Sequence, residues 1–89
     1  SSAKSTKKKT FITTWKKTGG NSGWQVQYGL NKKFRSGVRT VNLKANNTKL
    51  TVRKLRSRKN YYIRIRGYKK VNGQMMYSSW SSVKSVKIK

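Results

Sequence analysis

The sequence predicts an all-β fold, a sandwich of six to seven antiparallel strands, and three observations carry that expectation. Apolar and polar residues alternate in short runs. Trp24, Val26 and Tyr28 alternate with Gln25 and Gln27, and Tyr61, Ile63, Ile65 and Gly67 alternate with Tyr62, Arg64, Arg66 and Tyr68. A period of two is the strand period. Asn72-Gly73, between Val71 and Gln74, is the strongest short hairpin signal, because both central positions need positive φ. No stretch carries a helical period, and several short strands at close spacing argue for a sandwich or barrel.

Taken in order, residues 1–9 hold one Ala among polar and basic residues and are expected as a basic flexible arm or a frayed first strand. The domain proper then covers residues 10–89. Phe11, Thr13 and Trp15 alternate with Ile12, Thr14 and Lys16 as a strand, and residues 18–23 form a Gly/Asn/Ser turn cluster. After the Trp24–Tyr28 strand comes a basic loop, residues 31–37, anchored by Phe34. Gly29 and Gly37 read as loop glycines. Val41 and Leu43 mark a third strand, residues 45–48 a turn, and Leu50 and Val52 a fourth strand ending near Leu55. Residues 56–60 are a loop, the Tyr61 strand follows, and the Asn-Gly hairpin register sets Tyr68 opposite Tyr77. Val83, Val86 and Ile88 close the last strand. The expected core is Trp15, Trp24, Val26, Tyr28, Val41, Leu43, Leu50, Val52, Leu55, Tyr61, Ile63, Ile65, Val86 and Ile88.

Charge is the dominant feature of composition. The 89 residues include 24 Lys and Arg, no Asp, no Glu and no His, for a formal charge of +24. Small soluble domains typically carry a net charge of about 2–8. With acids at roughly 12% of an ordinary chain, their chance absence here is on the order of 10⁻⁵. Three Trp, five Tyr and two Phe in alternating runs argue against a disordered basic tail. The absence of Cys leaves secreted and cytosolic origins open. No apolar run approaches the ~20 residues that span a bilayer, and no signal peptide is recognised before the domain.

Composition also removes most chemistry. Without Asp, Glu, His or Cys there is no general acid or base of the usual kinds, no catalytic triad, no glycosidase carboxylate pair and no common metal-ligand set. A Ser–Lys dyad could be assembled but has no motif, and no phosphate loop of the Walker spacing occurs. The chain is expected to be neither an enzyme nor a holder of cofactors or metals.

The residues resemble a known family, the fibronectin type III domains, and within it the Lys-rich ones of Gram-positive bacterial surface proteins. Trp15, the run Trp24-Gln25-Val26-Gln27-Tyr28, and Leu55 followed six residues later by Tyr61, Ile63, Ile65 and Gly67 carry the resemblance. So does Tyr77-Ser78-Ser79-Trp80-Ser81, which is similar to the WSxWS box of related receptor modules. It covers roughly residues 10–89 and implies a fibronectin type III or immunoglobulin-like sandwich. It implies a tyrosine corner in which the Tyr61 hydroxyl bonds backbone near Leu55, and a structural ladder in which Arg64 and Arg66 stack on Tyr77 and Trp80. Two features depart from the family: few residues precede Trp15, and the usual Pro-Gly of the corner loop is Ser57-Arg58.

Binding remains as the function. Lys and Arg neutralise phosphates and other anions. The candidate polyanion-binding residues are Lys7, Lys8, Lys9, Lys32, Lys33, Arg35, Arg53, Lys54, Arg56, Arg58, Lys59, Lys69 and Lys70, read as spread over several loops and both ends. That spread predicts non-specific attraction to nucleic acid, heparin-like or teichoic-acid-like polymers by a monomer with no membrane span. Two origins share this mechanism: a surface spacer or binding module, secreted or wall-associated, and a supercharged engineered polycation made recombinantly. Members of the family ordinarily keep a few acids, which favours the second. The alternative is a dedicated nucleic-acid-binding protein, with Tyr62, Arg64, Arg66 and Tyr68 on the non-core face of one strand as a surface for single strands.

Overall fold

The computed structural model describes residues 2–16 and 20–89. Ser1, Lys17, and the Thr18 and Gly19 of the expected turn cluster lie outside the described residues. The chain is all-β. In order the strands are β1 (Ser2–Lys4), β2 (Phe11–Thr14), β3 (Gly23–Gly29), β4 (Arg39–Lys44), β5 (Lys49–Val52), β6 (Asn60–Val71), β7 (Gln74–Tyr77) and β8 (Lys84–Lys87). One sheet has the order β1-β2-β5. The other has the order β4-β3-β6-β7, with β8 also on β6. Every pairing is antiparallel. Among the described residues no helix is long and apolar enough to cross a membrane.

The described residues form eight strands rather than six or seven, for two reasons. The chain after the hairpin follows one side of β6 in two pieces: β7 pairs Tyr68–Val71, and β8 pairs Asn60–Ile63. In addition, Ser2–Lys4 pairs with β2, Ser2 facing Thr14 and Lys4 facing Ile12. The N-terminal stretch was expected to lack a face to dock. It docks through its backbone instead: Thr13 Oγ1 donates to the Ser2 carbonyl at 3.1 Å, and Lys9 N–H donates to the Lys89 carbonyl at 2.8 Å. Ala3 is its one apolar contribution to the core.

The core lies between the sheets. Phe11, Val26 and Ile88 are fully buried, with Trp15, Trp24, Tyr28, Val52, Leu55, Tyr61, Ile63 and Val86 around them. Phe11 was not in the expected core, although it alternates with Thr13 and Trp15. It meets Tyr28 edge-on at 5.5 Å and tilts against Tyr61 at 6.5 Å. Each such burial is worth roughly 1.5–3 kcal/mol before entropy. Val41, Leu43, Leu50 and Ile65 are only half in, and Val83, expected in the last strand, precedes β8 and is 42% exposed.

The hairpin follows from its turn. Asn72 and Gly73 have φ of 49° and 80°, the two positive values a type I′ turn requires, and Tyr68 faces Tyr77. Gly23 is held to glycine by close approach, since a Cβ there would run into the Leu43 carbonyl and the Tyr68 ring. Gly29, expected in a loop, is the buried last residue of β3 opposite Tyr62, whereas Gly37 is a loop residue with φ of 65°.

Candidate functional site

Cations gather in two places, and their surroundings differ. The first is the outer face of β3 and β6. Arg64 and Arg66, two residues apart on β6, point to the same side as Gln25 and Gln27 of β3 because Gln27 faces Arg64 and Gln25 faces Arg66. Arg64 donates from Nε and Nη2 to Gln27 Oε1 at 2.9 and 2.7 Å. Arg66 donates from Nε to Gln25 Oε1 at 2.8 Å. The amides are themselves turned by β4: Gln25 Nε2 donates to Asn42 Oδ1 at 3.2 Å, and Gln27 Nε2 and Thr40 Oγ1 lie 3.3 Å apart.

Aromatic rings interleave with these guanidinium groups. Arg64 sits between Phe34 at 4.3 Å and Trp80 at 4.2 Å from the ring centroids, and Arg66 between Trp80 at 4.2 Å and Tyr77 at 3.8 Å. The order is Phe34, Arg64, Trp80, Arg66, Tyr77. A cation over a ring face is attracted by the ring quadrupole. Burial, and next the neighbouring Arg66 charge, lower the pKa of Arg64 from its ordinary value, and the group stays protonated. The stack covers the polar face of β3, so that Gln25 is buried.

Two serines hold the rings in place. Between β7 and β8 the chain leaves regular pairing, and hydroxyls complete it. Ser78 donates its N–H to the Gly67 carbonyl and accepts the Gly67 N–H on Oγ, both at 2.9 Å. Ser81 repeats the arrangement on Ile65, at 2.7 and 3.0 Å. Three-residue spacing of short hydroxyl side chains thereby sets Trp80 over both arginines. Phe34 was expected only to anchor its loop. Its positive φ of 56° turns the ring back onto Arg64, and no local pattern announces that contact.

Tyr61 lies at the other end of β6. It is buried, and its hydroxyl accepts the Arg56 N–H at 3.0 Å. Arg56 directly follows Leu55, itself buried. This is the geometry of a tyrosine corner, a buried ring whose hydroxyl ties down backbone a few residues upstream.

The second gathering of cations is the end of the sandwich next to that corner. Strand registers bring the end of β3, the starts of β4 and β6 and the end of β8 together, because Tyr28 faces Arg39, Gly29 faces Tyr62 and Asn60 faces Lys87. Backbone bonds draw in the remaining segments. Leu55 N–H donates to the Lys9 carbonyl at 3.0 Å, Arg58 N–H to the Ile88 carbonyl at 2.7 Å and Ile88 N–H to the Lys59 carbonyl at 3.0 Å. Lys7, Lys8, Lys9, Lys32, Lys33, Arg35, Arg53, Lys54, Arg56, Arg58 and Lys59 therefore share one end. Of the thirteen candidates, only Lys69 and Lys70, on the hairpin, lie away from this end; the groups are spread over several loops along the chain, and strand pairing brings most of them together. Arg39 joins the group through strand order alone.

A hollow of about 960 Å³ opens at this end between residues 29–39 and 53–56, with Tyr28 and Tyr61 at its back. Lys32 and Arg39 stand on one bank, and Arg53, Lys54 and Arg56 on the other. Exposed Leu30, on the same segment as Lys32, adds apolar surface to the lining. With no Asp or Glu in the sequence, none of these cations has a carboxylate partner. Left-handed non-glycine residues concentrate here: Lys9, Lys54 and Arg58 have φ of 58°, 61° and 62°, a conformation costing L-residues roughly 1–2 kcal/mol.

No protein-family model matches the chain, and no curated protein is significantly similar to it.

Proposed function

We propose that this chain is a non-catalytic, highly cationic module of the fibronectin type III kind that binds polyanions electrostatically and without sequence preference. The observation that carries the proposal is a formal charge of +24 with no Asp or Glu to offset it, and the eleven candidate bases that stand with Arg39 at one end of the sandwich give that charge a surface. A surface of one sign with no acid to offset it raises the local concentration of anions and speeds their capture. The absence of Asp, Glu, His and Cys supports binding over catalysis. The two-sheet architecture, the Tyr61–Arg56 bond and the arginine–aromatic stack support the family reading.

The arginine–aromatic face is assigned a structural role within this proposal. Its guanidinium groups are occupied by Gln25, Gln27 and three rings, which leaves little of them for bases or sugars. The test is titration of two duplexes of unrelated sequence, with heparin in parallel, over a range of salt. Affinity should fall linearly on a log–log scale by about 0.9 per phosphate neutralised on the duplexes, and the two duplexes should compete equally. A preference between them beyond about a thousandfold, the range of specific readers, would instead identify a dedicated nucleic-acid-binding protein.

A further inference from the structure

The geometry points to the hollow between residues 29–39 and 53–56 as the seat of a single phosphodiester chain, held through its backbone. This rests on the polyanion-binding reading above and says where and in what form the anion is held. Three features converge on it. First, the hollow takes cations from two separate segments, Lys32 and Arg39 from the β3–β4 connection and the start of β4, and Arg53, Lys54 and Arg56 from the β5–β6 connection. A linear anion lying between the banks meets positive charge on both sides, whereas a rigid duplex carries its phosphates on the outside of a rod and reaches only the rim.

Second, the cations stand on fixed backbone. Tyr61 accepts the Arg56 N–H, the Lys9 carbonyl accepts the Leu55 N–H, and the 31–37 loop is stapled by Asn31, which accepts the Phe34 N–H on its carbonyl and the Lys33 N–H on Oδ1. Phe34 then ties that loop to Arg64. Third, Lys54 occupies a left-handed position that glycine would fill without steric cost. A strained residue in a hollow is a pointer to function, and here the strained residue carries one of the charges.

The rest of the lining decides how the chain is recognised. Tyr28 and Tyr61 are buried within the core, so no ring face is presented for stacking, and Leu30 is the apolar surface on offer. Phosphates meet the banks, the organic units joining them pass over Leu30, and bases contribute nothing.

The experiment is a fluorescence-anisotropy titration of the full chain with three probes at equal salt. They are an oligothymidylate of about 12 nucleotides, within the usual site sizes, an abasic oligomer of equal length, and a duplex with the same number of phosphates. The two single chains should bind alike, and the duplex more weakly. The double variant Arg53→Ala/Arg56→Ala should weaken the single chains about tenfold and lower the salt slope by about 1.4, two single-strand contacts' worth. Lys44→Ala/Lys49→Ala, with the same charge loss at the opposite end of the sandwich, should leave both unchanged. All four side chains are exposed, and unchanged denaturation midpoints verify folding. Equal weakening by the two double variants overturns the seat and leaves general polyanion binding standing. A duplex bound as tightly, with the same arginine dependence, overturns the single-chain form. Loss of binding to the abasic oligomer overturns backbone recognition. No binding of any probe at low salt overturns both this inference and the function on which it rests.

Discussion

The outer face of β3 and β6 and the loop end of the sandwich are both rich in cations, yet they use them in opposite ways. On the face, the half-buried Arg64 and Arg66 are engaged by Gln25, Gln27, Phe34, Trp80 and Tyr77. At the loop end, Arg53, Lys54 and Arg56 are exposed and their side chains line an open hollow. In a chain without a single carboxylate side chain, a guanidinium is held by π-faces and amides or is left to water and to anions from outside. The difference lies in what surrounds the charge, and it separates the cations that hold the fold from those free to bind.

Removing the shared ring of the ladder should sharpen the contrast most. Trp80→Ala takes away the contact common to Arg64 and Arg66. At ~0.5–2 kcal/mol per partly desolvated cation–π pair, the loss should be about 2–3 kcal/mol, read as a lower midpoint in urea. Polyanion affinity of the folded variant should be nearly unchanged. A large fall in affinity with stability intact would reverse the roles given to the two regions.

Tyr61→Phe keeps the ring and removes the hydroxyl that accepts the Arg56 N–H. It should cost on the order of 1 kcal/mol and loosen the bank carrying Arg53, Lys54 and Arg56, so midpoint and affinity fall together. An unchanged midpoint would show that the bond contributes nothing. Lys54→Gly should separate the two properties. Relief of the left-handed position, about 1–2 kcal/mol, is offset by about 0.5–1 kcal/mol of glycine entropy, leaving a gain of about 0.5 kcal/mol while binding weakens. A loss of stability would mean that the lysine side chain has a structural role.

The smallest expected effect is that of pH. Acid unfolding is driven by carboxylates and buried histidines, and the sequence has neither. The thermal midpoint should stay nearly flat from about pH 4 to 8 at constant ionic strength, and should rise with salt, which screens the self-repulsion of +24. A midpoint that fell with acid would have to come from some other source of pH dependence.

The sequence disclosed features fixed by neighbours along the chain. Asn72-Gly73 needs only its own backbone angles to set Tyr68 opposite Tyr77, and the alternation through β3 and β6 marks the faces that become core. The stacking of Arg64 and Arg66 on Tyr77 and Trp80 was implied by the resemblance of residues 77–81 to the WSxWS box and not by local periodicity. What depends on strand order was hidden. Nothing around Phe34 indicates that its loop folds back over Arg64, and nothing around Arg39 places it in the same hollow as Arg53. The basic runs looked dispersed because they are distant in sequence, and pairing brings them to one end. Ser2–Lys4 left no signature because its pairing is largely a matter of backbone, which side-chain periodicity does not report. Phe11 is different: its alternation with Thr13 and Trp15 was sufficient to place it in the core.

The separation of holding cations from binding cations is tested most directly by two single substitutions read in two assays. Arg64→Ala and Arg56→Ala each remove one guanidinium from the chain. For each variant, the urea midpoint and the salt slope for single-stranded oligothymidylate are measured. Arg64→Ala should lose about 2 kcal/mol with its two ring contacts and its Gln27 bonds, with the salt slope unchanged. Arg56→Ala should stay within about 0.5 kcal/mol of the parent, as surface substitutions do, and lose about 0.7 from the slope, one single-strand phosphate. If both variants move both readouts by similar amounts, the two regions do not differ in the way described and the cations act only as total charge.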